Sequence, residues 1–135
     1  MIYSPQFQFS VKLFLDVNSF GDSTNILSRV LFDPFESFYH QERNPTSLCF
    51  TNVYFDLYEI ERRRFQQELE SAPYTNAQIN ELYFDFIKRM DKKMNKFVND
   101  VNEGKNLKLL TERSDYIEQQ LGINNIKLFF TESID

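Results

Sequence analysis

Apolar and polar residues alternate with period two along FQFSVKLFLDV, where Phe7, Phe9, Val11, Leu13, Leu15 and Val17 share one side and Gln8, Ser10, Lys12 and Asp16 the other. That spacing predicts one half-buried strand over residues 7–17, broken only by Phe14. Pro5 before it suits a strand edge, and NSFGDS after it is turn chemistry. From residue 24 the pattern changes: Ile26, Val30 and Leu31 fall on one side of a short helix, which Pro34 ends by Phe32 or Asp33. Asp33, Pro34 and Glu36 then read as the start of a second short helix that turns Phe35, Phe38 and Tyr39 inward and stops at ERNPTS.

Three-to-four spacing takes over from about Ser47 to Ser71, with Phe50, Tyr54, Leu57, Tyr58, Phe65 and Leu69 on one side and Pro73 closing the helix. The next start is well marked. Thr75 and Gln78 form a T-x-x-Q capping box, and Tyr74 and Ile79 take the two places of a hydrophobic staple. Ile79, Leu82, Tyr83, Phe86, Ile87, Met90, Met94, Phe97, Val98 and Val101 continue as one stripe down a helix on the order of 40 Å long, with Gly104 as its cap. Asn106 caps a further helix carrying Leu107, Leu110, Ile117 and Leu121, with Ser114 in its apolar seam and Gly122 as its stop. The connection is so short that this helix folds back antiparallel on its predecessor. Ile126, Leu128 and Phe130 alternate again, a second strand that pairs with the first. The fold class is therefore α+β and predominantly helical: one domain over 1–135, with a long antiparallel helical hairpin (about 75–121), shorter helices, and a small sheet formed by N- and C-terminal strands.

Composition narrows the function classes. Hydrophobic residues at 41% and aromatics at 16%, from fifteen Phe and seven Tyr, exclude a disordered chain. They also exceed what a core of this size needs, which places some rings at a contact surface. A net charge of −5 argues against general phosphate-backbone binding. One cysteine, Cys49, excludes an internal disulfide or a multi-cysteine zinc site, and between Leu48 and Phe50 it reads as a small buried hydrophobe. The lone His40 reads as a surface residue at a helix end, and three glycines leave no phosphate-cradling loop. No apolar run approaches twenty residues and no signal-like segment opens the chain, so neither membrane span nor secretion is expected and the compartment reads as cytoplasmic. Few alanines and glycines beside many Phe, Asn, Lys, Ile and Tyr match AT-rich coding, as in a phage, a mobile element or a low-GC bacterium.

The candidate interaction residues are two basic groups. Lys88, Arg89, Lys92, Lys93 and Lys96 share the polar side of the long helix, and Arg62, Arg63 and Arg64 follow Glu61 on the preceding one. Either is a solvated helix face or a contact for an acidic partner or phosphate.

One resemblance points toward an enzyme. VKLFLDVNS resembles the first strand of PIN-domain ribonucleases, with Asp16 and Asn18 at its end, and LKLLTERSDYIEQQLGINNIKLF is similar to that family's strand, Thr/Ser-rich turn, helix and closing strand, with Thr111 and Asp115 at the matching places. The likeness covers about a quarter of the chain and leaves the middle acidic residues unplaced, and Leu107 to Thr111 reads better as helix. It implies catalytic Asp16 and Asp115 around Mg²⁺ or Mn²⁺. Without it no catalytic set, metal or other cofactor is indicated. The favoured reading is a non-enzymatic protein-interaction or assembly protein, a subunit, adaptor or inhibitor that meets a protein partner or its own copy through an open sheet edge or an aromatic patch. A nucleic-acid binder using Lys88 to Lys96 is the less favoured alternative.

Overall fold

A computed structural model describes residues 2–3, 7–9, 11–20, 23–32, 38–39 and 44–130. The segment ERNPTS begins a helix rather than ending one. Asn44 Oδ1 accepts from Ser47 N–H, Ser47 Oγ accepts from Asn44 N–H, and Pro45 stands at N1, where its missing N–H costs nothing. Helix α1 (Pro45–Glu70) buries Cys49, Phe50, Val53, Tyr54, Leu57, Tyr58, Ile60, Phe65 and Leu69. That set covers more than one face, as a helix surrounded by partners requires.

The partners of α1 are three helices and a hairpin. Thr75 and Gln78 close the expected capping box on α2 (Asn76–Asp100), which runs back along α1 with Phe86 stacked on Phe65 at 4.6 Å and Phe97 on Phe50 at 5.7 Å. Helix α2 ends at Asp100, earlier than Gly104, in a 3-10 turn over Asn102–Gly104. Gly104 has φ +94° and lies against α1, where a Cβ would come 2.9 Å from Phe50 Cβ. Helix α3 (Leu107–Leu121) is capped by Asn106 and stopped by Gly122 at φ +76°, whose N–H donates to Glu118 O. It returns antiparallel to α2, with Arg113 3.6 Å from Asp100, yet it packs chiefly on α1. The hairpin of 75–121 thus exists with α1 filling its seam. Ser114, in that seam, is buried and donates to Leu110 O at 2.9 Å, which meets its hydroxyl within its own helix.

Four further expectations fail locally. Residues 126–130 are not a strand: α4 (Asn125–Phe130) is a helix packed on α1, and among the described residues the sheet receives no C-terminal strand. Asn124 Oδ1 accepts from Lys127 N–H, buried Asn125 donates to Asp56 Oδ2 at 2.8 Å, and Ile126, Phe129 and Phe130 turn inward at helical spacing while Leu128 is exposed. Residues 24–31 are a strand and not a helix. β4 (Ser23–Phe32) pairs antiparallel with β3 (Val11–Phe20), from Phe20↔Ser23 to Val11↔Phe32. Its inward row is Ile26, Ser28 and Val30, and the polar Ser28 disguised the alternation. The single strand expected over 7–17 is two, because β2 (Phe7–Phe9) joins β1 (Ile2–Tyr3) and β5 (Phe38–Tyr39) in a separate sheet of order β1-β2-β5. Phe9 from β2 is buried 5.0 Å from Tyr54. Phe38–Tyr39 is therefore strand where helix was expected, while the proposed helix start at 33–36 and His40 lie outside the described residues. Among the described residues no helix is long and apolar enough to cross a membrane.

Two outcomes follow for stability. Gly104→Ala places a side chain at positive φ and against Phe50, and urea unfolding is expected to show a loss of roughly 1–3 kcal/mol. Burial pushes the Cys49 thiol from 9.0 up to about 11 and the Tyr58 hydroxyl from 10.0 up to about 12. Below pH 9 the thiol is protonated in both folded and unfolded chains; above it the unfolded thiol ionises first, so stability falls as pH rises through that window. Thermal scans across the alkaline range should show the decline setting in later for Cys49→Ala than for the parent chain.

Candidate strand-addition site

An antiparallel pair of strands leaves every other residue of each with N–H and C=O turned away from its neighbour. In β4 three of these groups, on Ile26 and Ser28, are met by α1. Gln66 Oε1 accepts from Ser28 N–H at 2.8 Å and from Ser28 Oγ at 2.6 Å, and Gln66 Nε2 donates to Ile26 O at 2.7 Å. Arg62 Nη1 donates to Ser28 O at 3.1 Å while Glu59 holds its Nε. A side-chain amide here replaces the peptide group of a third strand.

The β3 edge is different. Val17 and Leu15 stand opposite Ile26 and Ser28, so Val11, Leu13, Leu15 and Val17 turn their backbone groups to the other edge. Tyr83 Oη on α2 donates to Leu13 O at 3.2 Å from that side, in agreement with this parity. Among the described residues no strand pairs with β3 there, and no other hydrogen bond reaches these groups. A groove of about 570 Å³ runs along the edge, with residues 11–15 as one wall and Asn80, Tyr83, Phe84 and Ile87 as the other.

Aromatic surface borders this groove. Phe84 comes two residues before core Phe86 and so points to nearly the opposite side of α2, where it is 61% exposed. Phe14 is 50% exposed on the outer face of the hairpin, together with Leu27 and Leu31. Lys12, Asp16 and Arg29 stand among them on that face. The outer face therefore carries apolar side chains with charges interleaved.

The basic residues do not form one free patch. Lys93 pairs with Glu61 across to α1, and Lys96 reaches Asp100 at 2.6 Å. Arg89 lies 5.8 Å from the Phe86 ring centroid. Arg64 binds Glu61 at 3.0 Å and Tyr116 Oη at 2.8 Å, and Arg62 supports β4. Lys88, Lys92 and Arg63 are exposed and make no ion pair with the described residues.

The carboxylates suggested by the PIN likeness are not brought together. Asp16 is exposed on β3 opposite Leu27, and Asp115 on α3 accepts from Asn124 Nδ2 at 3.2 Å. Leu107 to Thr111, the strand which that likeness requires, opens α3 behind the Asn106 cap. Among the described residues no group of three or more His, Cys, Asp or Glu side chains is placed to hold a metal. Cys49 is buried beside Ser114, and burial disfavours its thiolate.

Gln66, Tyr83 and Phe84 are the residues that sequence reasoning missed as site-forming. Phe84 carried a signal, an aromatic standing off the stripe of its own helix; Gln66 carried none, because its role depends on a strand placed forty residues away in sequence. Compared with protein-family models, curated proteins and solved structures, the chain matches none.

The unequal edges give a paired expectation for urea unfolding. Gln66→Leu strands Ser28 N–H and Ile26 O, and a loss of roughly 1–3 kcal/mol is expected. Tyr83→Phe, whose lost acceptor lies in an open groove where water replaces it, should cost less than about 1 kcal/mol.

Proposed function

We propose that this chain is a non-enzymatic interaction module, an assembly subunit, adaptor or inhibitor that takes up an extended polypeptide segment on β3. The observation that carries this reading is the contrast between edges: β4 is held at Ile26 and Ser28 by Gln66 and Arg62, while β3 presents its backbone beside an apolar groove. Strand addition draws affinity from main-chain hydrogen bonds and selectivity from pockets for alternate side chains, and Tyr83, Phe84 and Ile87 line such a pocket. A ring as exposed as Phe84 is the kind of anchor that dominates a protein interface.

Nucleic-acid binding by α2 has less behind it. Lys93 and Lys96 already hold carboxylates of the same chain, which leaves Lys88 and Lys92 as the uncommitted ammonium groups of that run. Two charges, one helical turn apart, supply little of the counterion release on which such binding rests.

Retention of a protein from the native source tests the two readings against each other. Phe84→Asp should weaken retention by at least about tenfold, the effect of losing an interface anchor, while Lys92→Glu and Arg63→Glu leave it unchanged. The opposite pattern, with loss on charge reversal and steep weakening by salt, moves the function to the exposed basic residues of α1 and α2.

A further inference from the structure

The order of side chains along β3 reads the same way against itself. Pair two copies of this strand antiparallel with Phe14 on the two-fold axis: Lys12 then stands opposite Asp16 of the second copy, Leu13 opposite Leu15, and Val11 opposite Val17, each pair occurring twice. Backbone parity agrees with this register, since Val11, Leu13, Leu15 and Val17 are the residues whose N–H and C=O face the open edge. Leu13 and Leu15 thus exchange hydrogen bonds both ways. The Tyr83 bond at Leu13 O does not prevent this, because a carbonyl oxygen has two lone pairs.

Neighbouring registers are worse. Sliding the pair by two residues sets Phe14 against Lys12 or against Asp16, and sliding by four sets Lys12 against its own copy or Asp16 against its own copy. The Phe14-centred register alone joins opposite charges. Lys12, Phe14 and Asp16 are all exposed and lie on the outer face in non-hydrogen-bonded pairs, where cross-strand side chains approach most closely.

We propose that the occupant of the β3 edge is a second copy of this chain, joined in a two-fold dimer whose hairpins form one continuous four-stranded sheet, β4-β3-β3-β4, with register fixed by reciprocal Lys12–Asp16 pairs around Phe14. This rests on the reading of β3 as a binding edge and names its partner. The identical patch on both subunits is what an isologous two-fold interface requires.

Sedimentation equilibrium on the full chain and its charge variants is the test. The parent should be a reversible dimer. Lys12→Glu faces Asp16 with like charge at two symmetric places, and Asp16→Lys does the same to Lys12; each should raise the dimer dissociation constant by roughly tenfold or more. The chain carrying both Lys12→Glu and Asp16→Lys regains opposite charges and should return to within about threefold of the parent. Both side chains are exposed, and circular dichroism checks that the variants fold. A dimer indifferent to both single changes, or one that the double change weakens further, overturns the proposal by placing the contact elsewhere. A parent that stays monomeric at millimolar concentration also overturns it. If that monomer still retains another protein in a Phe84-dependent way, the binding edge stands and only the second copy falls; if it retains none, both fall.

Discussion

The Gln66 amide accepts from Ser28 N–H and donates to Ile26 O, and this pair of bonds seats the hairpin on α1 by its β4 edge. Two strands by themselves are marginal in water, so the hairpin depends on what covers it. Leu13, Ile26 and Ser28 are buried on the inner face, and Arg62 reinforces the same edge. Once β4 is committed to α1, β3 is the strand left beside α2. There Tyr83 touches the edge without closing it. The candidate site is thus a by-product of which strand the central helix engages.

The same helix accounts for the fate of the charges. Glu61 on α1 draws in both Lys93 and Arg64, and Arg64 reaches on to Tyr116 of α3. These partly exposed pairs add little to stability. Their effect is on surface chemistry: basic residues that look like one run in sequence are divided between internal partners and solvent. What remains on the surface is aromatic at Phe14 and Phe84 and cationic at Lys88, Lys92 and Arg63.

The helices were legible because their signals are local. The Thr75–Gln78 box, the Asn106 cap and the Gly122 stop all act within a few residues of themselves, and each is where the pattern put it. The failures share a different cause. Ser28 sits in a buried row because Gln66 meets it, and Asn125 is buried because Asp56 does; in both cases the compensating group is far away in sequence. A polar residue in an apolar row therefore hid β4, and three alternating apolar residues mimicked a strand in α4. The site followed the same rule. An open edge was expected, yet which edge, and that Tyr83 and Phe84 border it, depended on contacts between elements.

Gln66 lies about forty residues beyond the strand it completes. Translation therefore delivers the hairpin well before its support, and the nascent strands have no α1 amide to lean on until that helix has been made. Until then the outer backbone groups of both strands, not of one, are bare to any neighbouring chain on the same message.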